Sequence, residues 1–89
     1  MIDFEWYRSF IAVYQAGTVS AAAEQRQMTQ PAISQHLAAL EKTLNTSLFQ
    51  RTPRQMIPTS EGQALYTRIV GAVEQLEQAS LAGKIHQPV

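Results

Sequence analysis

Residues 29 to 51, TQPAISQHLAALEKTLNTSLFQR, restrict the folds open to this chain more than any other stretch. Ile33, Leu37, Leu40 and Leu44 recur at spacings of four, three and four, the stripe of an amphipathic helix with one buried face. Off that stripe, at the N-terminal end, stand the uncharged polar residues Gln30, Ser34 and Gln35. Thr29 is suited to cap the helix, and Pro31 falls in its first turn, where a missing N–H costs nothing. Short donors and acceptors at the start of such a helix suit the reading of base edges in a major groove. Gln can pair two-fold with adenine, and Ser with phosphate or several base edges. Thr29, Gln30, Pro31, Ser34 and Gln35 therefore form a candidate reading surface. The bland alternative is an ordinary solvated face, and what decides between them is the context on either side.

Upstream, Phe4, Tyr7, Phe10, Ile11 and Tyr14 lie at helical spacing within residues 3 to 16, and Gly17 is a natural stop. Ser20 then reads as the N-cap of a short helix, AAAEQR, whose alanines let a neighbouring helix approach closely. Two short helices joined around Gln27 and Met28 make a helix-turn-helix. Downstream, the reading helix ends near Leu44 and Asn45, since Asn tolerates a left-handed cap. Residues 48 to 51 and 55 to 57 read as two short strands, with Thr52, Pro53 and Arg54 in the turn between them. That hairpin is a wing. Arg51 and Arg54 flank its turn, placed for contact with phosphates or a minor groove.

Thr59 is the expected N-cap of a last helix over residues 60 to 82, with Glu61 near its positive end. At about 1.5 Å per residue this helix is roughly 33 Å long, out of proportion to the body it follows. Leu65, Ile69, Ala72, Leu76 and Ala79 alternate four and three apart along it, which is a heptad seam suited to pairing two chains. A second stripe, Tyr66, Val70 and Val73, lies to one side and is expected to pack on the chain's own body. The simpler reading joins both stripes into one broad face against that body.

Eighty-nine residues form one domain near the lower limit for a single apolar core, and a hydrophobic share of 45% fits a folded chain. No cysteine is present, so neither a disulfide framework nor a thiolate zinc site is available. No run reaches the roughly 18 apolar residues of a membrane span, and Asp3 and Glu5 stand where a signal segment would be basic. A cytoplasmic protein without membrane contact is expected. The formal net charge is zero, whereas most nucleic-acid-binding domains are basic. The charges are unevenly spread, however: Arg26, Lys42, Arg51 and Arg54 face Glu41 alone between residues 25 and 55. A modest basic face then coexists with a neutral total.

Chemistry other than binding finds little support. The two histidines, His36 and His86, are far apart and have no cysteine partners, so no metal site or cofactor is expected. Ser34 and His36 are two apart on a helix, point to different sides, and cannot act as nucleophile and base. No catalytic residue is assigned.

Reading outward from the central helix, the chain resembles the N-terminal domain of the LysR-type transcriptional regulators over nearly all of residues 3 to 80. The pieces that carry the resemblance are FIAVYQAGTVSAAAE, then TQPAISQHLAALEKTLNTSLFQR, then PTSEG. Within them, AISQ, Leu40-Glu41, Leu48-Phe49, Arg51 and the Thr59–Gly62 pair occur in a fixed order, which is specific where any one piece is weak. The resemblance implies a winged helix-turn-helix whose long last helix pairs two subunits. It also implies a C-terminal effector-binding domain, similar to periplasmic binding proteins, that this chain lacks; a small-molecule effector is expected only there. Carried over by position, DNA contacts fall on Gln30, Pro31, Ser34, Gln35, Arg51 and Arg54, with Thr29 and Ser20 near phosphates. The antiparallel pairing that the resemblance suggests would place an imperfect inverted repeat of double-stranded DNA under the two reading helices.

Three positions depart from the family pattern. Arg26 stands where an apolar residue usually closes the second helix into the core, and its aliphatic stem is expected to snorkel. Asn45 replaces a usual Gly. Pro58 replaces a common Leu and removes a strand donor at the wing's edge. The expected fold is thus mainly α: a three-helix core with a two-stranded wing over residues 1–58, a dimerisation helix over 59–82, and a linker over 83–89. The expected function is sequence-specific DNA binding by a transcriptional regulator's domain. A winged-helix module for protein interaction or dimerisation alone is the competing class.

Overall fold

Each turn of the chain is set by a residue whose side chain or backbone suits a helix end. The computed structural model describes residues 1–86, and the side-chain surroundings of residues 1–79. The Asp3 carboxylate accepts from the Glu5 amide at 2.8 Å and opens α1, Phe4–Ala16. Gly17, at a φ of 85°, closes α1 with its N–H on the Val13 carbonyl. That left-handed step, open to Gly at no steric cost, leaves Thr18 extended at once. The Thr18 hydroxyl accepts from the Ala21 amide at 3.0 Å, so α2 begins two residues before the sequence-based expectation, as Val19–Arg26. Ser20 is therefore not the cap but an exposed residue of the first turn.

The turn between α2 and α3 is built on Gln27, left-handed at a φ of 55°. Its N–H and that of Met28 take up the last carbonyls of α2. For a residue other than Gly this conformation costs about 1 kcal/mol. Thr29 caps α3, Gln30–Leu44, through its hydroxyl, which accepts from the Ala32 amide at 3.2 Å. Asn45 ends α3 in the left-handed region, as its residue type suggested.

The wing pairs β1, Phe49–Arg51, with β2, Met56–Pro58, in antiparallel register, Gln50 opposite Ile57. Both strands start one residue later than expected. The Leu48 amide is taken by the Glu41 carboxylate at 2.8 Å instead of the ladder, and Gln55 belongs to the turn, its N–H donated to the Thr52 hydroxyl at 2.9 Å. Pro58 sits at the end of β2 opposite Phe49, where a missing donor is tolerated. The Met56 amide leaves the hairpin altogether and donates to the Gly17 carbonyl at 2.9 Å.

The last helix, α4, runs Ser60–His86, about 40 Å at the usual rise. It passes Gly83 without stopping, so residues 83–86 of the expected linker are helical, and residues 87–89 lie outside the described residues. Thr59 anchors its start: the hydroxyl donates to the Ser47 carbonyl at 2.7 Å and accepts from the Gly62 amide at 3.0 Å. Gly62 lies against the Leu48 carbonyl so closely that an added Cβ would come within 2.1 Å of the oxygen.

The core lies where α1, α2 and α3 meet the wing root. Phe10, Ile33, Leu37, Leu40 and Leu48 are fully or almost fully buried there. Ala22 and Ala23 are buried too, which is how α2 comes close to its neighbours. Phe10 meets Phe49 at 5.4 Å between ring centroids, and Tyr14 stacks flat on Tyr66 at 3.8 Å, tying α4 to α1. Within α4, Val73 is buried while Leu76 is 57% exposed. The second stripe therefore packs on the body. Leu65 and Ile69 of the first stripe are half-buried against the same core, while Ala72, Leu76 and Ala79 face outward.

Candidate nucleic-acid interface

The buried stripe of α3 fixes what its opposite side offers. With Ile33, Leu37 and Leu40 in the core, the 100° step per residue brings Gln30, Ser34, Pro31 and Gln35 to one outward face. Gln30, Pro31 and Gln35 are exposed and Ser34 is half-buried. This face carries no charge in its first two turns, so nothing on it repels a phosphate and its donors and acceptors are free. Thr29 is exposed beside it; its hydroxyl oxygen is engaged as the cap while its proton stays available to donate.

Continuing the face toward the C-terminus adds Ala38, which sequence reasoning did not single out, and Lys42, which it counted only among the charges of the basic face. Ala38 is one turn beyond Ser34 and exposed, a small apolar group of the kind that meets a thymine methyl. Lys42 is seven residues beyond Gln35, exposed, and on the same side. The signal was the same helical spacing, carried two turns further.

The wing places its arginines apart. Arg54 is exposed at the tip, where the Thr52 hydroxyl accepts from the amides of Arg54 and Gln55 and donates to the Gln55 carbonyl. Arg51 is exposed lower down, lining an open groove with Glu41, Ser47, Gln50 and Thr59 at the foot of the wing. Glu41 shares that groove, and one of its oxygens accepts from the Leu48 and Phe49 amides.

Arg26 alters the charge count made from the sequence. Its guanidinium does not snorkel outward. It turns in, with its side chain only 11% exposed, and donates to the Glu5 carboxylate, the Glu5 carbonyl and the Ser9 hydroxyl. Hydrogen bonding from Arg26, together with that from Arg8, holds the Glu5 carboxyl below its ordinary value of 4.5 against the opposing effect of burial. The basic face therefore rests on Lys42, Arg51 and Arg54. Ser9 also bonds His36 Nδ1 at 2.7 Å, a pairing 27 residues apart that no local pattern announces. A serine on an imidazole has the outline of a nucleophile and base, but Ser9 is completely buried and its oxygen already accepts from Arg26, so no substrate reaches it.

Among the described residues, no helix is long and apolar enough to cross a membrane and no cluster of three metal-ligating side chains occurs.

Comparison with known proteins bears on this surface. Residues 4–63 match the family model of bacterial regulatory helix-turn-helix proteins of the lysR family. The chain is 40% identical over 81 residues to the nitrogen assimilation regulatory protein nac of Escherichia coli strain K12, covering 91% of this chain and 27% of that protein. It thus spans about a quarter of the length of that relative. Among solved structures, a CbnR_DBD–DNA complex aligns with a TM-score of 0.75 at 32% identity over 92% of this chain and 98% of that one. A BenM_DBD/catB site 1 DNA complex aligns with a TM-score of 0.84 at 25% identity, covering 98% of each chain.

Proposed function

Because the chain belongs to the lysR family of bacterial regulatory helix-turn-helix proteins, we propose that α3 reads double-stranded DNA from the major groove while the wing holds the backbone. The chain is a DNA-binding domain of a transcriptional regulator and not an enzyme. The observation that carries the assignment of the reading surface is the uncharged outward face of Gln30, Pro31, Ser34 and Gln35 on a helix whose start is fixed by Thr29. Gln35 and Ser34 take base edges; Thr29 and Ser20 lie toward phosphates; Arg51, Arg54 and Lys42 supply electrostatic affinity.

Residues 1–58 form the DNA-reading unit in this proposal, and α4 joins two copies. Ala72, Leu76 and Ala79 leave an apolar strip uncovered along α4, continued by the half-buried Leu65 and Ile69. The small alanines let two such helices approach closely in an antiparallel pair. Each reading helix then faces its own half-site of an imperfect inverted repeat.

The test is selection of bound sites from random duplexes, followed by titrations at several salt concentrations. The three cations of the basic face, Lys42, Arg51 and Arg54, counted twice in a dimer, set the slope of log affinity against log salt at about −5. Gln35→Ala should lower affinity for the selected duplex and flatten preference at one base pair, a loss of about 1–3 kcal/mol. Arg54→Ala should weaken all duplexes alike and reduce the slope by about one unit for each wing engaged. No selected site, or binding that ignores salt, would favour a module for protein interaction instead.

A further inference from the structure

Between α1, α2 and α3 lies a line of polar groups to which the DNA-reading face assigns no role. Ser9 is completely buried, and its hydroxyl lies 2.6 Å from Arg26 Nη1 and 2.7 Å from His36 Nδ1. A guanidinium has donors only, so Ser9 Oγ accepts from Arg26 and has one proton left to give. Given to His36 Nδ1, that proton joins the ring to the line and leaves the ring proton on Nε2; in the other tautomer Nδ1 would donate to the same oxygen. Arg26 is fixed in turn by the Glu5 carboxylate and, at 3.3 Å, by the Glu5 carbonyl. Arg26 donates both ways along this line, to Glu5 on one side and to Ser9 on the other.

His36 is the neighbour of Gln35 in α3, and its ring is the polar attachment of that helix to α1. The apolar contacts of Ile33, Leu37 and Leu40 hold α3 in the core but are not directional. This hydrogen bond is directional, and it sits one residue from a side chain that must be aimed. We propose that Glu5, Arg26, Ser9 and His36, with Nδ1 accepting from Ser9, form a positioning device for the reading helix, and that a proton on His36 Nδ1 releases it; this rests on the reading of α3 given above.

The consequence of protonation follows from the groups present. A protonated Nδ1 is a donor, so the Ser9 oxygen would face two cationic donors, Arg26 and His36, and its own proton would lose His36 as its acceptor in a buried place. The charged groups on the elements around it do not relieve this. On α1, the Glu5 carboxylate is taken up by Arg26 and Arg8, and Arg8 also pairs with Glu77 of α4 at 2.9 Å. On α2, Arg26 is the cation already on Ser9, and Glu24 is exposed. On α3 itself, Glu41 holds the wing root and Lys42 is exposed.

The experiment has two arms. In the free protein, long-range proton–nitrogen spectra of the imidazole at about pH 7.5 should show the proton on Nε2, and the α3 amides should shift together as His36 titrates. Ser9→Ala should abolish that coupled shift. A proton on Nδ1, or α3 amides indifferent to His36, would overturn the proposal. In the second arm, the preference for the selected duplex over one altered at the Gln35 base pair is followed from about pH 7.5 to about pH 5.5. It should fall about tenfold in the parent chain, the discrimination of one good base contact. His36→Asn, whose Oδ1 stands near the place of Nδ1 and takes no proton, should keep its preference across that range. Ser9→Ala should show a reduced preference at both ends. Loss of preference in His36→Asn as large as in the parent would refute the role of His36. If no duplex is preferred at all, the DNA reading of α3 fails, while the spectra of the free protein still decide whether the lock exists.

Discussion

Replacing Gly62 by alanine probes the contact that seats the wing on α4. The added methyl would lie 2.1 Å from the Leu48 carbonyl oxygen and 3.1 Å from its carbon. A carbon and an oxygen in contact keep about 3.3 Å, so one side must move by about an ångström. The carbonyl is not free to retreat, since it accepts from the Thr59 amide at 3.0 Å and its own residue's amide is held by Glu41. Overpacking of this kind costs about 1–3 kcal/mol, and a backbone obstacle places it near the upper end. Alanine gains about 1 kcal/mol over glycine within a helix, which leaves a net loss of about 2 kcal/mol. Gly71 is the control in the same helix: nothing lies within 4 Å of its added Cβ, so only the gain remains. At about 4–8 °C per kcal/mol for a domain of this size, Gly62→Ala should lower Tm by about 10 °C and Gly71→Ala raise it by about 5 °C. Both belong at one protein concentration, because association makes Tm concentration-dependent. A Gly62→Ala chain as stable as the parent, beside a Gly71→Ala chain that behaves as stated, would refute the close approach of Leu48 to α4.

Gln27→Gly should raise the urea midpoint by an amount worth up to about 1 kcal/mol, because Gly takes the left-handed turn at no steric cost; an unchanged midpoint would remove the strain assigned to Gln27. Glu5 has a lowered pKa, so its ion pairing contributes stability above the ordinary carboxylate range and loses it as pH falls from 4.5 through the depressed value. Glu5→Gln should therefore flatten the acid limb of stability against pH, and parallel limbs would contradict the pairing with Arg26. Leu76→Glu with Ala79→Glu places like charges on the uncovered strip of α4 without touching the core, unlike changes at the half-buried Ile69. Sedimentation at tens of micromolar should give a dimer for the parent and a monomer for this variant; a monomeric parent would end the proposal of pairing through α4.

What the sequence made legible is local chemistry. Thr29, Pro31 and Asn45 act within one helical turn of themselves, so their roles as cap, first-turn residue and left-handed end could be read from residue type. The spacing of Ile33, Leu37 and Leu40 likewise orients α3, and with it the face carrying Gln30, Ser34 and Gln35. The start of α2 was missed because Thr18 and Ser20 are both good caps, and only the reversal at Gly17 decides between them. The strands moved by one residue because the Leu48 amide has a partner on α3, seven residues away, that outcompetes the ladder. Least legible was Arg26, whose partners Glu5 and Ser9 are 21 and 17 residues distant and lie on another helix. A charge drawn into a core leaves no periodic trace. The division of the α4 stripes was half legible: spacing distinguished them, but only the tertiary packing shows that Leu65 and Ile69 serve the body as well as the outer strip.

The single bond from the Met56 amide to the Gly17 carbonyl has a kinetic meaning. It ties the second strand of the hairpin to the corner between the first two helices, across 39 residues of chain. Two-stranded hairpins are marginal on their own and open on fast timescales. Here the strand cannot lift without also breaking the corner, and Met56 is itself buried. Its amide should exchange with solvent deuterium about as slowly as the amides of Ile33 and Leu37, as one cooperative unit. A protein arm that is ordered before it meets its target surrenders little conformational entropy on arrival. Complexes made by such an arm form with little rearrangement, and their lifetimes are set by the contacts themselves.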